Sequence, residues 1–154
     1  METLITPAEV AALAFTSAAE GDVSAISESA IAAAQQKFIK PVLNGLYAAL
    51  EEGRYPELLV EYVKPALAQY VRYLVLSSVA SHVGTAGVIQ PRAATFATAP
   101  EKSLAALRRR ARSDARTLMR RAVEHIETIA ADYPEYDPAQ NILNRVSIEA
   151  GVVL

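Results

Sequence analysis

The sequence predicts an all-α protein: a bundle of about four main helices with proline bends, a long central loop and an extended C-terminal tail. Three observations carry that reading. The chain is rich in alanine, 52% hydrophobic, and has only six glycines in 154 residues; Ala, Leu, Glu and Arg are the residues least costly to place in a helix. Apolar side chains recur three and four residues apart along the longer segments, the period of a helix with one buried face. Cap-forming residues and prolines stand at the starts of those segments, where a helix needs partners for its free N–H groups. On this basis residues 1–137 form a helical body and residues 138–154 a C-terminal tail or arm.

The first helix starts at "TPAE": Thr6 caps, Pro7 takes the first helical position and Glu9 completes a capping box. Val10, Leu13 and Ala14 then share a face, and the helix ends near Phe15. The next begins after Ser27, an N-cap with Ile26 and Ile31 placed as a hydrophobic staple. Its apolar face is Ile31, Ala34, Phe38, Val42 and Leu46. Pro41 removes one backbone donor, which predicts a kink or break between Ile39 and Val42. Gly53 closes this element as a C-cap. Pro56 opens the third helix, whose broad face is Leu59, Val63, Ala66, Leu67, Tyr70, Val71, Leu74 and Val75, with a bend at Pro65. Tyr62, Tyr70 and Tyr73 read as packing residues, because nothing nearby in sequence activates a phenol. Residues 82–99 read as a long irregular loop. "TAPE" at 98–101 then repeats the opening logic of the first helix, with Thr98 as the cap. The fourth helix is expected to run to about Asp132, with a stripe of Leu104, Leu107, Ala111, Leu118, Ala122, Ile126 and Ile129. "DYPEYDP" reads as a turn-rich tether, and the tail beyond it alternates apolar and polar residues at Val146 and Ile148.

Several function classes are excluded at this level. With no cysteine there is neither a disulfide framework nor thiolate chemistry. The N-terminus carries acid where a secretory signal carries base. The apolar segment 56–81 is interrupted by Glu57, Glu61, Lys64 and Arg72, which a membrane span does not tolerate; a soluble protein with no membrane partner is expected. His82 and His125 belong to no metal or catalytic spacing. The acids at 132–137 lack the glycine and spacing of a calcium loop, and no glycine-rich phosphate loop is present. No enzyme, cofactor or metal site is expected.

The informative feature is charge distribution. Residues 1–97 hold six basic and nine acidic side chains, residues 98–121 eight and two, and residues 122–154 one and six. Within "SLAALRRRARSDARTLMRRAVEHI" seven arginines occupy positions 108 to 121. At about 100° per residue, Arg108, Arg109, Arg112, Arg116 and Arg120 share one broad helix face, with Arg110 and Arg121 on the other flank of the apolar stripe. Three readings stand side by side. The arginines are solvated side chains whose stems cover the edges of the seam. They form a protein interface, since arginine is favoured where planar pairing with carboxylates matters; the acidic block 124–149 then supplies a complementary surface for head-to-tail self-association. Or they contact phosphates, in a chain that carries no recognisable helix-turn-helix or aromatic stacking platform.

The segments "LITPAEVAALAF" and "ISESAIAAAQQKFIKPVLNGLYAAL" give the chain a layout that resembles the small all-helical head-tail connector (adaptor) proteins of tailed bacteriophages and related prophages of gut bacteria. A short capped helix precedes a helix with a repeated apolar face and a proline-to-glycine-like stretch, here Pro41 through Leu46. The resemblance implies a structural subunit that assembles as a ring between portal and tail, a component of the virion put together in the bacterial host cytoplasm. Its implied partners are portal and tail proteins and further copies of itself, with non-specific DNA contact as an additional partner. On that reading the interaction residues are Arg108, Arg109, Arg112, Arg116 and Arg120 together with the apolar terminus Val152, Val153 and Leu154. The alternative is a nucleic-acid-binding accessory protein that uses the arginine-rich helix 103–126.

Overall fold

A computed structural model of the chain describes residues 3–15, 26–79, 83–84, 87–88 and 101–144. These residues are mostly helical: α1 (Pro7–Ala14), α2 (Glu28–Ala34), α3 (Lys40–Leu43), α4 (Gly45–Glu51), α5 (Pro56–Leu58), α6 (Lys64–Val79) and α7 (Glu101–Thr128). Inside the segment expected to be irregular, Val83–Gly84 (β1) pairs antiparallel with Gly87–Val88 (β2). The rest of that loop, the Thr98 cap and the tail beyond Asn144 lie outside the described residues.

The expected starts of the first two helices and the stop at Gly53 are formed, while α7 ends at Thr128, short of the expected Asp132. Thr6 and Glu9 make the reciprocal capping box of α1, and the Ser27 hydroxyl accepts from the Ala30 N–H at the start of α2. The end of α4 is a Schellman motif. Gly53 sits at φ +77°, its N–H donates to the Leu50 carbonyl, and the Arg54 N–H donates to Ala49. One face is corrected: Val10 and Ala14 are buried, but Leu13 points outward.

The two internal prolines are accommodated by a shared device. A proline inside a helix lacks a donor, and its ring collides with the carbonyl four residues back. Ahead of Pro41 the backbone widens into a π turn, Gln35–Ile39; ahead of Pro65 it does so over Leu59–Val63. The Lys40 N–H then donates to Gln35 and the Lys64 N–H to Leu59, one residue further back than in an α-helix. The first run therefore continues past Pro41, and its break falls later than expected, at Asn44, where φ is +45°.

α6 and α7 form the central pair, with α1 and α2 packed on α6. The core includes Ile31, Ile39, Leu43, Leu46, Leu50, Leu58, Leu67, Met119 and Ile126, each contributing about 2 kcal/mol of burial. The seam of α7 is Ala111, Ala115, Met119, Ala122 and Ile126. It is rotated from the expected stripe: Leu118 flanks the core and Ile129 is exposed. Small residues at 111, 115 and 122 bring the two helices close, so the seam follows the alanines more than the leucines.

Gln35, at 0% exposure, links three elements. Its carbonyl accepts from the Leu4 N–H at 2.8 Å and its amide donates to the Tyr47 hydroxyl at 2.9 Å. Glu9 of α1 is tied to Lys64 of α6, which holds its carboxyl below the usual range.

Candidate functional site

Two charged surfaces flank the core, and they are built differently. The first is the acidic segment after α7, which docks on the break at Asn44. The Asn44 side chain donates to the Asp137 carbonyl at 3.0 Å and accepts from the Asp137 N–H at 3.1 Å, an edge-on pairing that imitates a strand. Gly45 completes the seat: a Cβ there would stand 2.5 Å from the Glu135 backbone oxygen. The Glu135 carboxylate accepts from Tyr55 at 2.9 Å and is paired with Arg54. Its pKa is lowered, first by a backbone hydrogen bond within its own residue, then by Tyr55 and Arg54, against partial desolvation. Tyr55 is held at φ +58°, an uncommon state for a bulky side chain; the bond to Glu135 and an edge contact with Tyr133 at 5.0 Å anchor it there. Tyr136 is buried, donates to Glu127 and accepts from Asn141 at 2.7 Å. Burial is the main cause that raises its phenol to about 12.

Residues 138–144, the start of the expected arm, are therefore folded onto the body. Asn141 is fully buried and Leu143 packs against the core. Glu127, Glu135 and Asp137 have partners within the chain, Glu124 and Asp132 are exposed, and Glu149 lies outside the described residues. Val152, Val153 and Leu154 lie outside the described residues.

The second surface is α7. The seven arginines divide by what they touch. Arg108 and Arg112 both stand over the Tyr73 ring at 5.8 Å, and Arg121 stands over Tyr62 at 5.2 Å, a ring that also stacks on His125 at 4.3 Å. Arg108 is half-buried in this position and does not line the groove of the other arginines on its face. Arg110 approaches Asp114 at 3.8 Å, one turn along. Arg109, Arg112, Arg116 and Arg120 remain exposed and line one open groove with Ser113 and Thr117. Among the described residues none of these four has a carboxylate within 4 Å. Four like charges one turn apart on a helix repel one another, so the helix itself gains nothing from the arrangement.

Beside the groove is a smaller, more apolar notch of about 230 Å³, lined by Phe38, Val42, Tyr70, Ile142 and Leu143 and by Lys37, Arg112 and Arg116 at its rim. Arg112 and Arg116 belong to both. Phe38 stacks flat on Tyr70 at 4.3 Å to form the floor. Tyr70 is 3% exposed, and its pKa is raised by burial against the pull of Arg116, Arg112 and Arg120. The charge pattern of the sequence located the groove. It missed the notch, because Ile142 and Leu143 were assigned to the tail and Lys37 lies on a different helix.

Among the described residues no group of three or more His, Cys, Asp or Glu side chains is placed to hold a metal ion. Among the same residues no helix is long and apolar enough to cross a membrane.

A mostly helical chain with a docked acidic segment and an open arginine groove is the class that the described residues define. The chain belongs to the family of unknown function DUF6712, which it matches over residues 25–145. That span takes in α2 through α7 and the docked segment, and leaves α1 outside. No curated protein and no solved structure matches the chain.

Proposed function

We propose that this chain is a structural subunit of a phage or prophage head-tail connector, assembling as a ring between portal and tail and docking through the arginine groove of α7. One observation carries the reading: Arg109, Arg112, Arg116 and Arg120 are exposed and have no carboxylate partner among the described residues, and Arg112 and Arg116 also line an adjoining apolar notch. Guanidinium forks of this kind pair bidentately with carboxylates on another surface. The adjoining notch favours a protein partner, since an apolar side chain fills it and a phosphate does not. The layout of the first helices, with its likeness to connector proteins, gives the partner class: portal and tail proteins and further copies of the chain. The role is mechanical, with no chemistry, cofactor or metal assigned, and it places the chain in a virion assembled in the host cytoplasm.

Co-sedimentation with portal rings from the same genome tests the proposal. Wild-type chain is expected to pellet with the rings, and Arg109→Glu/Arg116→Glu to remain in the supernatant. Absence of wild-type pelleting, together with binding to arbitrary DNA that falls steeply with salt, would replace this reading with the nucleic-acid-binding one.

A further inference from the structure

The most exposed large apolar side chain among the described residues is Val60, at 57%, and the next is Ile142, at 46%. Their surroundings are opposite in charge. Val60 lies in the π turn between α5 and α6, with Glu57 and Glu61 exposed beside it on the same outer face. Neither carboxylate has an ion pair or hydrogen bond among the described residues; Glu57 contributes only at longer range, to the raised pKa of Tyr133. Ile142 stands in the notch rimmed by Lys37, Arg112 and Arg116. Both surfaces have the same plan, one exposed aliphatic group next to charges four residues apart on a helical run, which is about 6 Å of rise in each case.

From this complementarity we infer that Val60, Glu57 and Glu61 of one copy dock into the Ile142 notch and onto Arg112 and Arg116 of the next. The two surfaces share no residue, and Val60 precedes Tyr70 of the notch by ten positions, roughly 15 Å along the helical run. The contact is therefore heterologous: each copy offers one surface and receives the other, which propagates head to tail and closes into a ring where the rotation permits. The occupant is a second copy because the acid, the aliphatic group and their spacing are all present in this chain. A nucleic acid would use the arginines and leave Ile142 and Val60 uncovered. The inference rests on the reading of the arginine groove as a docking surface, and it identifies the copy's own face that the Arg112–Arg116 end receives.

The chain has no cysteine, so a disulfide can report the contact in the full-length protein. One preparation carries Val60→Cys, another Ile142→Cys, and they are oxidised separately and after mixing. The mixture is expected to give a covalent dimer in at least about tenfold excess over either alone, because only a heterologous contact brings the two positions together. Adding Glu57→Arg/Glu61→Arg to the first chain should reduce the yield by about tenfold or more, as like charges then face each other. Adding Arg112→Glu/Arg116→Glu to the second should restore it. A mixture that cross-links no more than the separate chains, or a yield indifferent to charge reversal, would overturn the inference. Portal co-sedimentation of the wild-type chain is read independently of cross-linking between the Val60→Cys and Ile142→Cys chains. Portal binding retained without cross-linking removes the subunit contact alone; cross-linking retained without portal binding by the wild type removes the connector assignment alone.

Discussion

The acidic segment at 135–141 and the arginine groove at 109–120 are both highly polar, yet only one of them holds the fold together. Around the acidic segment nearly every polar group has a partner within the chain: Asn44 with the Asp137 backbone, Glu135 with Arg54 and Tyr55, and Tyr136 with Glu127 and Asn141. In the groove, Arg109, Arg116 and Arg120 have no ion pair or hydrogen bond among the described residues, and Arg112 stands over the Tyr73 ring. A buried polar group without its partner is costly, whereas an exposed one can be exchanged with little effect on the fold. The difference separates a surface that builds the molecule from one that is available to something else.

Breaking the acidic side should have the largest effect on stability. Asn44→Ala removes the pairing with the Asp137 backbone and leaves alanine at φ +45°; a loss of about 2–3 kcal/mol is expected, read by urea unfolding. Gly45→Ala drives a methyl group against the Glu135 carbonyl, and about 1–3 kcal/mol should be lost as the segment shifts away. On the arginine side the sign reverses. Arg116→Glu creates new pairs with Arg112 and Arg120 one turn away, so unfolding should show a gain of a few tenths of a kcal/mol while partner docking is lost. A destabilisation of 116 comparable with that of Asn44→Ala, about 2 kcal/mol or more, would erase the contrast.

The pH profile sharpens the same comparison. Glu135 titrates below its ordinary value of 4.5 in the folded chain. Its contribution is complete above that pH and is lost as pH falls through the lowered folded value. Tyr136 moves the other way, from 10.0 to about 12, so its contribution is complete below pH 10.0 and is lost as pH rises through about 12. Tyr136→Phe should flatten the alkaline limb of a stability–pH curve and Glu135→Gln the acid limb. Substitutions in the groove should leave both limbs in place.

What the sequence disclosed follows from how local each signal is. Thr6 with Glu9, Ser27, Gly53 and the proline starts act within a few residues, and each is formed as read. The arginine face was legible because helical spacing alone puts 109, 112, 116 and 120 together. The seam of α7 was not, since 118 and 119 differ by only one helical step and the alanines decide which way the helix rolls. Proline announced a disturbance at 41 and 65 without saying that a π turn would absorb it. The partners of Glu135 within the acidic block were not legible for a different reason. Glu135 finds Arg54 and Tyr55 roughly eighty positions away, and no periodicity reports a partner at that distance.

The central claim is that the groove arginines serve a partner and not the fold. Arginine footprinting with phenylglyoxal, read residue by residue by mass spectrometry on the free chain and on the proposed assembly with portal rings, tests it most directly. The account predicts that Arg109, Arg116 and Arg120 react in the free chain and are protected in the assembly. Arg110, on the opposite flank and beside Asp114, should react alike in both. Equal reactivity of Arg109, Arg116 and Arg120 in the two states would contradict it.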